Sequence, residues 1–205
     1  MTKTRRYVYV TFLMTLILFM TFTSYGYFNL TPFIRVTLIQ IPVIIGSLWF
    51  GWRTGALLGF AFGMSSLIYN TINPVVTSFV FSPFYPVIGT DQGSPLALII
   101  AFVPRILVGI VPWFVYQGLK KIERLPKIPR IAISALMGSL TNTLLVLGLI
   151  YVLFGTAYAQ ARSVAVESLA GILLTTISVN GVVEAICSSV IVTALFTRIK
   201  VNHQD

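Results

Sequence analysis

The sequence has very few charged residues for its length. Only 9% of its 205 residues are charged, and aspartate and glutamate together number five. A soluble domain carries about 25% charged residues, so this chain has too few to cover a water-facing surface. The composition excludes an ordinary soluble protein. The length leaves no room for a second soluble domain, and we expect one domain over residues 1–205.

Side chains that build catalytic and metal centres are also scarce. Cys187 is the single cysteine and lies inside an apolar run, which excludes a disulfide framework and a cysteine-based metal cluster. His203 is the single histidine and lies almost at the end of the chain. No Walker-type glycine loop is present, so the chain has no means of hydrolysing ATP. We therefore expect a protein that is not an enzyme, with no metal and no cofactor.

Positive charge exceeds negative charge, and the formal net charge is +9. In a soluble protein this excess would suggest a nucleic-acid partner. Here the basic residues fall at the ends of apolar segments or in alternate loops, as the positive-inside rule produces. We therefore expect a lipid bilayer and no nucleic acid. The residues in this pattern are Lys3, Arg5, Arg6, Arg53, Lys120, Lys121, Arg124, Lys127, Arg130, Arg198 and Lys200.

Long apolar segments take up most of the chain, and they predict an all-α integral membrane protein. A helix of about 20 residues crosses the hydrocarbon core of a bilayer. We expect six transmembrane helices in a multi-pass protein of the cell membrane, with both termini cytoplasmic. The predicted helices cover about 7–28, 36–50, 54–70, 96–119, 131–154 and 168–197.

Three glycines at four-residue spacing mark the third predicted helix. Gly55, Gly59 and Gly63 fall in one stripe, along which another backbone can approach closely. A short polar hinge, residues 51–54, separates this helix from the second one. We therefore expect helices two and three to form a tight antiparallel hairpin.

Polar residues at membrane depth are the candidate binding residues, because ionisable groups there are rare and usually functional. Counted from the outer helix ends at 1.5 Å per residue, Arg105 lies about 15 Å deep, Asn142 and Asn180 about 18 Å, and Glu184 about 24 Å. The residues could simply neutralise one another and join helices. Alternatively, they line a polar pocket open to the outside. The full candidate set is Arg105, Asn142, Asn180, Glu184, Thr141, Asn70 and Arg35.

The longest non-helical stretch, residues 71–94, is rich in proline and aromatic residues. Long loops in compact domains are usually lids or binding loops. Its aromatic residues suit a cap over an outer site, and they equally suit a belt at the membrane interface. Among them are Phe81, Phe84 and Tyr85.

Four segments resemble the substrate-binding S-components of energy-coupling factor (ECF) vitamin transporters, and most closely the pantothenate-specific members. The segments are FIRVTLIQIPVIIGSLWFGWRTGALLGFAFG (Phe33–Gly63), VPRILVGI (Val103–Ile110), GSLTNTLLVLGLIYV (Gly138–Val152) and NGVVEAICSSVIV (Asn180–Val192). The resemblance implies a high-affinity site near the outer face for one vitamin. It also implies docking on a membrane coupling (T) subunit with two cytoplasmic ATPase subunits, which hydrolyse the ATP.

The resemblance also assigns roles to particular regions. In the family, the loops after helices one and three gate the site, which here implies roles for Pro32, Phe81, Phe84 and Tyr85. Helix one and the hairpin of helices two and three would form the docking face. Many relatives carry an Ala-x-x-x-Ala pair on helix one, whereas this chain has threonines in that region. The docking candidates are Thr11, Thr15, Gly55, Gly59 and Gly63.

The inventory of polar groups favours pantothenate, which has a carboxylate, an amide and two hydroxyls. Arg105 offers a planar fork for a carboxylate, and the asparagines and Glu184 suit hydroxyl or amide groups. Pyridoxine, hydroxymethylpyrimidine and riboflavin remain alternatives. Two other classes also remain: a stand-alone small transporter, and a membrane enzyme that uses Arg105 and Glu184 on a lipid.

Overall fold

In a computed structural model, which describes residues 2–31 and 34–198, the chain is a helical bundle with one short β-hairpin. Five helical segments are long and apolar enough to cross a membrane. The predicted all-α membrane architecture is confirmed for the bundle, whereas the hairpin was not predicted. The elements are α1 (Lys3–Phe22), β1 (Tyr27–Thr31), β2 (Ile34–Thr37), α2 (Gln40–Phe50), α3 (Trp52–Ile72), α4 (Leu96–Lys120), α5 (Lys127–Ala161), α6 (Val166–Thr176) and α7 (Val182–Arg198).

The hairpin corrects the ends of the first two predicted helices. α1 ends at Phe22 because Thr23 adopts an extended backbone, with φ −120° and ψ 163°. At Gly26 the chain folds back so closely that a Cβ atom would overlap the carbonyl oxygen of Met20. The next residues pair antiparallel, Phe28 opposite Val36. Residues 23–28 and 36–39 are therefore outside the α-helices predicted for them, and Ser24–Gly26 form a short 3-10 helix. Aromatic and β-branched residues favour this pairing.

Helix α2 is short and lies in the centre of the bundle. Its 11 residues span only about 16 Å, roughly half of a hydrocarbon core. All residues from Gln40 to Trp49 are buried. Pro42 lies in the first turn, where the backbone N–H groups have no partner within the helix, and so it does not break α2.

The glycine stripe of α3 faces α4 rather than α2. A Cβ atom at Gly59 would overlap the carbonyl oxygen of Arg105, and one at Gly55 would overlap that of Gly109. α3 and α4 therefore approach through their backbones, as small residues in membrane helices allow. α2 and α3 form the helical hairpin expected from the sequence, but these two helices pack through larger side chains. A Cβ at Gly46 would overlap the side chain of Leu58.

The last two predicted helices are longer than expected. α5 begins at Lys127 because Pro129 is tolerated in a first turn, and it continues past a kink at Phe154 (φ −135°, ψ 19°) to Ala161. The predicted end at residue 154 coincides with that kink. α6 and α7 form one segment, joined by a five-residue π-helical turn, Ile177–Gly181.

The apolar core consists of two clusters along the bundle. One lies toward the termini and includes Ile17, Ile44, Leu58 and Val108. The other lies toward the opposite end, where the loop after α3 folds onto the helices and buries Phe79 against Phe154. Side chains from this loop are thus part of the core.

Candidate functional site

A cavity of about 660 Å³ opens at the end of the bundle opposite the termini. It lies among α3, α4, α5, the π-helical turn, α7 and the loop after α3. Its size is typical of small-molecule sites. Six of the predicted residues line it: Asn70, Phe81, Arg105, Asn142, Asn180 and Glu184. The structure therefore brings together all four polar residues that depth counting selected.

A missing backbone hydrogen bond in α4 provides the group that holds Arg105 in place. Pro104 has no backbone N–H, so the carbonyl of Ile100 lacks its helical donor. The guanidinium of Arg105 supplies the missing bond, with Nη1 donating to that oxygen at 2.5 Å. The proline therefore creates an acceptor that fixes the buried arginine at the cavity wall.

Two aromatic rings flank the same guanidinium. Its central carbon lies 5.7 Å from the ring centre of Phe62 and 5.0 Å from that of Phe81. Both distances are within the range of cation–π attraction. Because Phe81 belongs to the loop after α3, this contact connects the loop to the buried arginine of the cavity.

Glu184 is bound by groups at the end of β2 and the start of α2. Its Oε1 accepts hydrogen bonds from the backbone N–H of Thr37 and from Nε2 of Gln40, both at 3.2 Å. The Gln40 amide also lies 2.7 Å from the hydroxyl of Ser139 and 3.1 Å from that of Ser188. This fully buried amide joins α2, α5 and α7 and holds the carboxylate in position.

Two neighbouring residues of α5 line the cavity and carry buried polar atoms. Asn142 and Thr143 are 9% and 8% exposed. In the described part of the chain, neither Oδ1 of Asn142 nor Oγ1 of Thr143 has a hydrogen-bond partner. A buried polar atom without a partner costs about 1–3 kcal/mol. A bound molecule that reached either atom would therefore gain affinity.

The π-helical turn shapes the wall opposite α5. Single π turns interrupt helices most often at functional sites. Here the turn places Asn180 at the cavity and brings Gly181 against Thr143, where a Cβ atom would lie 2.8 Å from Cγ2. A larger residue at position 181 would push Thr143 out of place.

Hydrogen bonds at the end of α3 fix the loop over the cavity. The hydroxyls of Thr71 and Ser82 lie 2.8 Å apart, and the Tyr85 hydroxyl donates to the Thr71 carbonyl at 3.0 Å. Asn70 Oδ1 accepts from Ser78 at 3.3 Å. Asn70 therefore anchors the loop as well as lining the cavity.

Some predicted site residues do not line the cavity. Thr141 points away, and its hydroxyl donates to the Met137 carbonyl at 2.7 Å. Phe84 is 73% exposed. Tyr85 holds the loop after α3 in place by its hydrogen bond to the Thr71 carbonyl and does not line the cavity. Pro32 lies outside the described residues, and so does the side chain of Arg35.

The predicted docking residues fall into two groups. The side chains of Thr11 and Thr15 are exposed on α1. Gly55, Gly59 and Gly63 are buried against α4 of the same chain. Their stripe is therefore not available to a partner, and the prediction that they dock one is not supported by this placement.

Sequence reasoning missed several cavity residues. Thr37, Gln40, Phe62 and Thr143 all contribute to the cavity wall or to its hydrogen bonds. Gln40 carried a usable signal, because an amide within the apolar run of α2 must find partners when buried. Phe62 carried none, since one more phenylalanine in an apolar helix predicts only packing.

The arrangement is suited to binding a small polar molecule. Arg105 can hold a carboxylate, and the polar atoms of Asn142 and Thr143 lie on α5 for hydroxyl or amide groups. Among the described lining residues, Arg105 is the only cation and Glu184 the only carboxylate.

Comparison with known proteins identifies relatives over most of the chain. Residues 7–196 match the family model described as "ECF transporter, substrate-specific component". The pantothenic acid transporter PanT of Lactococcus lactis subsp. cremoris is 44% identical over 165 residues, which cover 77% of this chain and 81% of that protein.

A solved structure also matches the fold. It is the S component of a bacterial ECF transporter, which aligns with a TM-score of 0.56 over 96% of both chains. The sequences are only 12% identical, so this match concerns the arrangement of the helices alone.

Proposed function

The chain belongs to the substrate-specific components of ECF transporters, multi-pass proteins of the cell membrane, and we propose that it binds pantothenate for import. The observation that carries this proposal is one cavity lined by Arg105, Asn142 and Thr143, where Oδ1 of Asn142 and Oγ1 of Thr143 have no hydrogen-bond partner among the described residues. Pantothenate has a carboxylate for Arg105, and it has hydroxyl and amide groups for Asn142 and Thr143. The identity to PanT supports the same ligand.

We infer that partner subunits supply the energy for import. The family implies a membrane coupling (T) subunit and cytoplasmic ATPase subunits, and this chain would act as the binding subunit without ATPase activity. The exposed face of α1, with Thr11 and Thr15 among apolar residues such as Phe12, is our candidate docking face. The basic residues at the end with both termini support a cytoplasmic location for that end.

The first test is a panel of ligands on the purified chain in detergent. Thermal stabilisation would be measured with pantothenate, riboflavin, thiamine, biotin, folate, pyridoxine and hydroxymethylpyrimidine, followed by titration of each hit. A ligand that binds the folded state stabilises it by mass action. We expect a large shift with pantothenate and none with the others. A shift with another vitamin alone would overturn the ligand assignment, and no shift with any would overturn the binding function.

Replacing Thr143 by valine tests the partnerless hydroxyl. Valine has nearly the same shape, so the ligand-free protein should be as stable as the parent or more stable. Pantothenate affinity should fall by about three- to tenfold, the value of one neutral hydrogen bond. Titration calorimetry measures the affinity, and thermal denaturation measures the stability.

The matched control is Thr141→Val, two residues away on the same helix. Its hydroxyl bonds to its own helix outside the cavity, so the affinity should stay within about twofold. Equal losses in the two variants would show that the Thr143 hydroxyl does not contact the ligand.

Replacing Tyr85 by phenylalanine tests the loop as a barrier to release. The change removes the hydrogen bond to the Thr71 carbonyl and leaves the ring in place. We expect pantothenate to dissociate about three to ten times faster, because one loop anchor is lost. Stopped-flow fluorescence measures the rate.

The control is Phe84→Ala, at an exposed position of the same loop, which should leave the dissociation rate unchanged. If Phe84→Ala also accelerates release, loss of the Tyr85 hydrogen bond is not the cause.

A further inference from the structure

A second cavity lies at the opposite end of the bundle, near the termini. It has a volume of about 410 Å³ and lies between the end of α2, the end of α4, the start of α5 and the end of α7. None of its lining residues is shared with the outer cavity. Along α7, Glu184 and Phe196 are separated by about 18 Å, so the two cavities are distinct sites.

The charged side chains of this second cavity are all basic. Lys120, Lys127 and Arg130 line it, and no carboxylate does so among the described residues. Both lysines are held over aromatic rings: Nζ of Lys120 lies 5.6 Å from the ring centre of Tyr116, and Nζ of Lys127 lies 5.7 Å from that of Phe196. The positive-inside rule explains basic residues at this end, but it does not explain a cavity built around them.

The wall of the cavity also contains a buried donor. Trp49 is 8% exposed and lines the cavity, and its indole N–H has no hydrogen-bond partner in the described protein. The ring is fixed between Tyr9, Phe50 and Phe196, with centroids 5.8–6.4 Å away. Buried indole N–H groups usually find a partner. The guanidinium Nε of Arg130 is likewise buried without one, although its Nη2 donates to the Ile122 carbonyl.

We propose that this cavity is a binding site for a phosphate ester. Lysine and arginine side chains bind phosphate through charge-assisted hydrogen bonds, and the indole N–H of Trp49 is a further donor in the wall. The rings of Trp49, Trp113 and Tyr116 give the rest of the molecule apolar surface. Basic cavities between helices on the cytoplasmic side suit anionic lipid headgroups. A soluble phosphate ester has the same chemistry.

The experiment uses the purified chain in nanodiscs of phosphatidylcholine. In one arm phosphatidylglycerol is added to the bilayer, and in the other glycerol 3-phosphate is added to the solution. Tryptophan fluorescence and native mass spectrometry report binding. The double variant Lys120→Gln/Lys127→Gln should lose affinity roughly thirtyfold, as expected for two basic groups beside a phosphate. Trp49→Phe, which removes the donor together with part of the ring, should weaken binding about threefold or more.

The matched control is Lys121→Gln/Arg124→Gln, which removes two charges from the loop between α4 and α5, outside the cavity. Its affinity should stay within about twofold. Binding in the lipid arm identifies a headgroup, and binding in the soluble arm identifies a free ester; either supports the site. Equal losses in the two double variants, or binding of neither probe, would overturn it. Pantothenate titration of every variant reports the outer site separately.

Discussion

Replacing Arg105 by glutamine is expected to weaken pantothenate binding by more than about tenfold, since a charge-assisted bond to the carboxylate is lost. Arg105 is 6% exposed and lines the cavity, with its guanidinium beside Phe62 and Phe81. Glutamine is preferable to alanine here, because its amide can still donate toward the Ile100 carbonyl that Pro104 leaves without a helical partner. Arg105→Ala should lose at least as much affinity.

The alcohol pantothenol isolates the role of the carboxylate. It has the amide and hydroxyl groups of pantothenate but no negative charge. The parent protein should prefer pantothenate by about tenfold or more, whereas Arg105→Gln should bind the two molecules with similar affinity. Titration calorimetry of both ligands against both proteins gives a complete double-mutant cycle. An undiminished preference in the variant would mean that the carboxylate binds elsewhere.

Arg162→Ala is the matched control for this cycle. Arg162 is exposed near the same end of the bundle, with its guanidinium 5.6 Å from the ring centre of Tyr158 and outside the cavity lining. Its removal lowers the positive charge of the outer end by the same amount. If Arg162→Ala reduced the preference as much as Arg105→Gln does, long-range charge rather than direct contact would explain the effect.

The cluster of Arg105, Asn142, Asn180 and Glu184 could be predicted because helices in a membrane have a fixed rise per residue. Counting from the helix ends gives the depth of each residue in the membrane. Polar side chains at the same depth avoid lipid and therefore meet inside the bundle. The same counting failed for Thr141. Thr141 lies at nearly the same depth as Asn142, but consecutive side chains of a helix point about 100° apart. Depth alone therefore does not show which of the two faces the cavity.

Other features depend on contacts that the sequence pattern does not specify. The β-hairpin follows a close approach of the backbone at Gly26 to the end of α1, in a stretch apolar enough to extend that helix. The Gln40 network depends on three helices meeting around one amide. The glycine stripe predicted that some backbone comes close, but not which one. That partner is set by the whole arrangement of helices, and it proves to be α4.

The identity of that partner makes Gly59 a sensitive packing position, because it lies against the backbone of the cavity residue Arg105. Replacing Gly59 by alanine is expected to destabilise the protein by about 1–3 kcal/mol, and Gly59→Leu by considerably more. The reason is that a Cβ atom there meets backbone, the carbonyl oxygen of Arg105, rather than a flexible side chain. The helices must separate, and the separation would also displace Arg105 from the cavity. Thermal denaturation and pantothenate titration should therefore change together.

Gly148→Ala is the control, for which the expected change in stability has the opposite sign. Gly148 lies in α5 with nothing within 4 Å of an added Cβ. Alanine stabilises a helix interior by up to about 1 kcal/mol relative to glycine, so this variant should be as stable as the parent or more stable. If Gly59→Ala behaved like Gly148→Ala, α3 and α4 would not be in backbone contact. The stripe would then be free for a partner, and the docking role predicted for it from the sequence would be restored.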